Sequence, residues 1–275
     1  MEEYTGWKEV PLTDENADAV YTKPDPDAFR LVDGEYLILT DANGKALDTC
    51  RRTGNTMTHV GFRTVRSAYL GDVSPRNVHQ KLAIHMLFNP SNTVKVLTGP
   101  FGSGKDLLMC SAAVELIEKE MFEKIVYVRN NIEVKNSKPI GFLPGDSDDK
   151  LLPFAMPLAD HVGGTEGLRH MIVHGQIEVT HLGFIRGRDI RNSIILCSEA
   201  ENMTRQHIQL LLGRVGEGSQ LWINGDMRQC DAQVFAENSG LMAAVDRLKG
   251  HPRFGYVKLM KTERSETAAM ADLLD

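Results

Sequence analysis

Apolar positions along the 275-residue chain change their spacing near residue 72. From Met1 to about Asp72 the sequence is polar and turn-rich. Short β-like runs stand in FRLV and EYLILTD, and an Asn43-Gly44 pair suits a hairpin turn. Beyond that point, apolar runs of strand length alternate with segments of helical period. TVKVLT, KIVYVR, IEVTHLGF, SIILC, QLWIN and YVKLM are the candidate strands. LLMCSAAVELIEKE, TRQHIQLLLGRV and SGLMAAVDRLKG are helix candidates between them, the second opening on Thr204 or Asn202 as cap, and the final ERSETAAMADLLD also reads as helical. Alternating βα units predict a largely parallel sheet covered by helices. The expected organisation is a small β-rich module over residues 1–72 and one α/β domain over residues 73–275, without internal repeats.

Composition narrows this picture only a little. An apolar content of 42% and a charged content of 25% are ordinary for a globular chain, and no apolar run approaches membrane-spanning length. No membrane partner is expected. The start, MEEYTGWKEV, is acidic and lacks the basic and apolar regions of a signal peptide, so a cytoplasmic location is expected. A net charge of -6 argues against bulk attraction to nucleic acid and leaves room for a local basic groove. Cys50, Cys110, Cys197 and Cys230 are scattered without CxxC spacing and read as buried thiols. The nine histidines show no metal spacing either; His79, His161, His170, His174 and His181 read as ordinary residues.

The strongest chemical signal follows the first strand candidate of the α/β part. Gly99, Pro100, Phe101, Gly102, Ser103, Gly104, Lys105 and Asp106 run straight into a helix that continues with Leu107. Glycines in a strand-to-helix turn let successive N–H groups and the helix N-terminus face a polyphosphate, while the lysine reaches its terminal phosphates. The alternative is a plain glycine turn, which the correct flanks and the Gly-Lys offset disfavour. Two positions depart from the usual pattern: Asp106 stands where Ser or Thr normally ligates magnesium. At the end of the strand candidate NSIILC, Ser198 stands where an Asp is expected. Together they exchange a hydroxyl and a carboxylate between two positions facing one Mg2+. Asp106 is therefore the candidate metal ligand, with Ser198 donating a hydrogen bond to it or to a metal-bound water. Loss of hydrolysis with binding retained is the competing outcome. Glu199 keeps the place of the residue that orients or deprotonates the attacking water.

These blocks resemble the PhoH family, ATPases with a core similar to superfamily I helicases. PRNVHQ is similar to the family's adenine-reading segment, which implies that Gln80 hydrogen-bonds adenine with support from Asn77. VRNNIEV, GFLPGD with the following DDK, and FIRGRDIRN are similar to blocks between the two nucleotide-binding elements. INGDMRQCD resembles a third motif and TERSE an arginine-bearing segment. The resemblance implies a RecA-like P-loop sandwich of three layers with a mostly parallel sheet, ATP as ligand, and assembly into a ring of six copies. Glu201 departs from it, standing where the family has Gln. Residues 6–76 look like the stretch that joins a PIN nuclease domain to the ATPase in two-domain relatives. They lack the spaced acidic cluster of such a nuclease, so no PIN domain is expected in them.

The remaining candidates rest on position. Asp226 and Gln229 follow the strand QLWIN and can sit at the sheet's carboxyl edge, where a γ-phosphate would lie, or form a solvated turn. Arg264 can supply charge to a transferring phosphoryl group within or across subunits. Arg129 and Asn130 end one strand, and Arg186, Arg188 and Arg191 fill a loop between two others. They suit a nucleic-acid backbone, a subunit contact or a solvated surface. The function expected is an ATP hydrolase acting on RNA or single-stranded nucleic acid. The alternative is a nucleotide-binding structural or regulatory module with impaired hydrolysis. A small-molecule kinase is disfavoured because Glu199 and the Gly-Asp block suit water activation better than acceptor binding.

Overall fold

The computed structural model describes residues 3–129, 155–227 and 233–263. All six strand candidates of the α/β part become strands: β7 (Val94–Thr98), β8 (Lys124–Arg129), β9 (Ile177–His181), β10 (Ser193–Ser198), β11 (Gln220–Gly225) and β12 (Phe254–Lys258). They form one parallel sheet in the order β12-β7-β11-β10-β8-β9. Alternate residues of β7, β8, β10, β11 and β12 feed two separate cores, while the edge strand β9 feeds one. Leu97, Tyr127, Leu196 and Trp222 face one layer of helices, whereas Val96, Val128, Cys197 and Ile223 face the other. Burial on both faces is why these strands read as continuous apolar runs. The helices α2 (Val78–Phe88), α3 (Lys105–Glu118) and α5 (Gly164–Val173) cover the first face; α6 (Arg205–Leu212) and α8 (Gly240–Leu248) cover the second. The short helices α4 (Met156–Ala159) and α7 (Gln233–Glu237) complete the part after residue 72.

Local sequence explains the helix boundaries. Thr204, rather than Asn202, caps α6 by accepting from the His207 amide, and Ser239 caps α8 through the Met242 amide. Asn202 instead ends a 3-10 turn over Ala200–Asn202. Helix α2 is absent from the sequence expectations because its apolar residues surround the axis and leave no single stripe to read. From Arg264 onward the expected terminal helix lies outside the described residues.

The N-terminal part contains β1 (Trp7–Pro11), β2 (Tyr36–Thr40), β3 (Ala46–Thr53) and β4 (Thr56–His59), paired in that order. β1 runs parallel to β2, while β2, β3 and β4 are antiparallel. The Asn43-Gly44 turn forms as expected, with Gly44 at φ +76°. FRLV is a correction: Phe29–Val32 lies in turns set by the Asp25-Pro26-Asp27 run, where the Asp27 amide donates to the Asp25 side chain. Its Leu31 is nonetheless buried as an anchor. β2 is buried on both faces. Tyr36 and Ile38 join the large core, whereas Leu37 and Leu39 join a small one with Val20, Leu31 and Cys50. Over that small core lie α1 (Asp14–Ala17) and a π-helical turn, Asp18–Thr22. A ribbon of β5 (Val65–Ser67) and β6 (Gly71–Val73) docks on α3, where Glu115 accepts from the Arg66 amide and Glu118 from the Ser67 hydroxyl. Among the described residues no helix is long and apolar enough to cross a membrane.

Candidate functional site

Because the sheet is parallel and in register, Thr98, Gly225 and Arg129 end their strands at one edge, together with Ser198. The glycine loop leaves β7 at that edge and enters α3 at Lys105. Gly102 and Gly104 have φ of +71° and +88°, the left-handed region that suits glycine. Gly99 is required by space: a Cβ there would stand 2.8 Å from both the Ser103 hydroxyl and the Leu259 Cβ. The Ser103 Oγ is buried without a hydrogen-bond partner among the described residues. Lys105 is buried too, its Nζ 3.5 Å from the Pro100 carbonyl and 5.5 Å from the centre of the Phe101 ring. A lysine that folds back on its own loop in this way can turn outward to an anion.

Behind the loop, Asp106 meets the strand ends. Its Oδ1 accepts from the Ser198 hydroxyl at 3.2 Å and from the Asn224 side-chain amide at 2.9 Å. The two exchanged residues are therefore hydrogen-bonded to each other. Asn224 is a site residue that the sequence reading missed, although it stands directly before the Gly225-Asp226 pair singled out there. The same Asn224 accepts from the Glu199 amide at 3.4 Å.

Glu199 has φ +56°, a left-handed conformation unusual for a side chain of its size. This turn at the end of β10 aims its carboxylate along the sheet edge, where Arg129 holds both oxygens. Arg129 Nε donates to Oε2 at 3.0 Å, and Arg129 Nη2 pairs with Oε1. Two residues on, Glu201 packs under β11 and its Oε2 accepts from the Asp226 amide at 3.1 Å. Burial, helped by the charge of Glu199 and opposed by that amide, pushes the Glu201 carboxyl up to about 7. Gly225 makes room for it: a Cβ there would lie 2.5 Å from Glu201 Oε2. Asp226 is buried at the same edge.

The far side of the loop is tied to the start of α2 and to the last described residues, 262–263. Gln80 uses both ends of its amide on backbone, accepting from the Arg76 N–H at 2.8 Å and donating to the Ser103 carbonyl at 3.0 Å. Asn77 caps α2 through the Gln80 amide and donates to Glu263 at 2.7 Å. Residues 262–263 form a strap: the Glu263 amide donates to the Gly102 carbonyl at 2.8 Å, and the Thr262 hydroxyl donates to the Phe101 carbonyl at 3.0 Å. A cleft of about 880 Å³ opens between the loop, Glu199 and Glu201, the Asp72–Arg76 segment, and Pro157, Asp160 and His161. His161, taken as ordinary in the sequence, thus lines the cleft.

The arginines grouped in sequence do not converge. Arg188 forms a bidentate pair with Glu178, near the start of β9, at 2.5 and 3.2 Å. Burial works against the charge of Glu178, but hydrogen bonds from Arg188 and Lys124 outweigh it and hold the carboxyl below its usual range. Arg191 pairs with its neighbour Asp189 at 2.6 Å, just before β10 begins, and Arg186 is exposed. Both ion pairs lie toward the amino edge of the sheet, away from Arg129 and the cleft. Asn130, Gln229 and Arg264 lie outside the described residues, as do most of VRNNIEV and all of GFLPGD.

A glycine loop entering a helix, one strand removed from the strand that carries Ser198 and Glu199 in a six-stranded parallel sheet, defines a nucleotide-binding protein of the P-loop class. The family described as "PhoH-like protein" matches residues 72–272, and the chain belongs to that family. It is 32% identical over 295 residues to the protein PhoH2 of Bacillus subtilis (strain 168), covering 99% of this chain and 65% of that one. It is 29% identical over 236 residues to the protein PhoH2 of Thermobispora bispora, covering 77% and 54%. A crystal structure of the Pif1 helicase from Candida albicans superposes with a TM-score of 0.40 at 15% identity, over 74% of this chain and 44% of that one. The chain spans about two thirds of the length of PhoH2 from Bacillus subtilis and about half that of PhoH2 from Thermobispora bispora.

Proposed function

We propose that this protein binds ATP with magnesium in the cleft above the glycine loop and hydrolyses it, driving a helicase-like motor on RNA or single-stranded nucleic acid. The observation that carries the reading is the Asp106–Ser198 hydrogen bond beside Lys105. It brings the displaced carboxylate and hydroxyl to one point, so the hard-oxygen donor set suited to Mg2+ is retained. Bound there, Mg2+ would neutralise phosphate charge; Asp106 is the residue that would hold it, with Ser198 and Asn224 fixing the carboxylate. Lys105 would bind the terminal phosphates, as would the loop amides around Gly102 and Gly104. Glu199 would take a proton from the attacking water as the terminal phosphoryl group leaves ADP. Asp226, Gln229 and Arg264 remain the proposed sensor and charge-supplying residues. Reading adenine would require Gln80 to exchange one of its two backbone partners for the base.

Ring assembly of six copies in the cytoplasm belongs to the same proposal, since one RecA-like domain supplies one side of a helicase-type nucleotide site. Arg129, Asn130, Arg186, Arg188 and Arg191 are the proposed contacts to nucleic acid or a neighbouring subunit. The second reading, a nucleotide-binding regulatory module, is favoured by the Arg129–Glu199 pair, which occupies the base in this conformation.

Phosphate release and ATP titration calorimetry on three proteins test the proposal. Lys105→Ala is expected to abolish nucleotide binding, and Glu199→Gln to bind ATP and lose turnover. ATP binding by the parent without phosphate release hands the function to the regulatory reading. Undiminished binding by Lys105→Ala removes the site assignment altogether.

A further inference from the structure

Far from the nucleotide cleft, the β3–β4 hairpin gathers three donors that the sequence keeps at irregular spacing. Cys50 and His59 are direct cross-strand partners, and Asp48 lies two residues before Cys50 on the same face of β3. One donor atom from each, the Asp48 carboxylate, the Cys50 thiol and a His59 ring nitrogen, lies within 4.8 Å of the others. Asp48 Oδ1 already faces His59 Nδ1 at 3.0 Å. The other carboxylate oxygen, Oδ2, accepts from the Tyr21 hydroxyl at 3.1 Å. Tyr21 belongs to the π-helical turn that covers this face.

The geometry points to a divalent-cation site at Asp48, Cys50 and His59, of the thiolate–imidazole–carboxylate class that takes Zn2+. Such a donor set selects a borderline ion over Mg2+ or Ca2+, and three protein ligands leave a fourth position for water. Tyr21 acts as the outer partner that orients the ligating carboxylate, as metal-binding carboxylates usually require. Cys50 is buried and its thiol makes no hydrogen bond among the described residues, whereas His59 is 66% exposed at its side chain and opens the site to solvent. Cation binding would clamp β3 to β4 and, through Tyr21, hold the helical segment above the sheet.

The test uses the full chain stripped with EDTA and titrated with Zn2+ by calorimetry, and with Co2+ by absorption. An Asp106→Ala background keeps the ion away from the nucleotide cleft. The expected result is one saturable equivalent, a thiolate-to-cobalt charge-transfer band, and a higher melting temperature with Zn2+. His59→Ala removes an exposed side chain and leaves the fold in place; it is expected to weaken Zn2+ binding at least tenfold. Cys50→Ser is expected to abolish the charge-transfer band. Tyr21→Phe, which keeps the ring over the sheet, is expected to weaken binding by a smaller factor. Absence of a saturable equivalent, or binding and a charge-transfer band unchanged in His59→Ala and Cys50→Ser, overturns the assignment.

Discussion

Replacing Glu201 by Gln isolates one buried proton. The Glu201 carboxyl lies under β11, with its Oε2 on the Asp226 amide, and burial pushes it up to about 7 from an ordinary value of 4.5. Between those two values the folded protein holds a proton that the unfolded chain has released. Folding is therefore favoured below about pH 4.5, and this contribution is lost as pH rises through about 7. The full shift corresponds to roughly 3 kcal/mol, and partial solvent access of the group reduces this to about 1–3 kcal/mol. Gln keeps the shape and a carbonyl acceptor for the Asp226 amide, and it cannot ionise. Chemical denaturation of parent and Glu201→Gln at pH 5 and pH 8 measures the difference, in which the contributions of His79, His85 and other groups common to both proteins cancel. The mutant is expected to gain about 1–3 kcal/mol on the parent between these pH values, equivalent to several degrees of melting temperature for a chain of this size. Parallel stability curves for the two proteins would refute the buried, protonated Glu201.

The exchanged pair makes a second prediction. Asp106→Ala is expected to weaken magnesium-dependent ATP affinity by roughly 2–4 kcal/mol, because a carboxylate attracts a divalent ion through charge that the Ser198 hydroxyl lacks; Ser198→Ala is expected to cost about 1 kcal/mol, one hydrogen bond to Asp106. Calorimetry with and without Mg2+ measures both, and equal losses contradict the assignment of Asp106 as ligand. Arg129→Ala frees the Glu199 carboxylate and is expected to raise basal phosphate release several-fold with unchanged ATP affinity. A slower enzyme would mean that Arg129 supports the reaction and does not restrain the base. Because the pair is partly exposed, its loss is expected to cost only about 0.5–1 kcal/mol of stability in denaturant unfolding.

The parallel sheet was legible from the chain alone, because strands buried on both faces carry an unbroken apolar signature at TVKVLT, KIVYVR and SIILC, and the loop Gly99–Lys105 announces its own turn chemistry. The exchange of Asp106 and Ser198 was legible as well, since both stand at fixed offsets from a strand end. Local sequence also determined the caps at Thr204 and Ser239 and the turn at Gly44. The FRLV run misled because two apolar anchors among turn residues look like a short strand, and only the surrounding Asp25-Pro26-Asp27 hydrogen bonds decide between them. Tertiary structure alone decided which distant side chains meet. The order β7-β11-β10 puts Asn224 between Asp106 and Glu199, and the row of strand ends puts Arg129 on Glu199 across 70 residues. The same register sends Arg188 and Arg191 to the opposite edge, although sequence proximity groups them with the site. In the N-terminal hairpin, the pairing of Cys50 with His59 turns scattered residues without metal spacing into neighbours. Backbone periodicity and turn chemistry are local properties that a chain carries in its own order. Strand order and register are set by how whole elements bury their apolar faces together, and those fix the chemistry between residues that the sequence holds far apart.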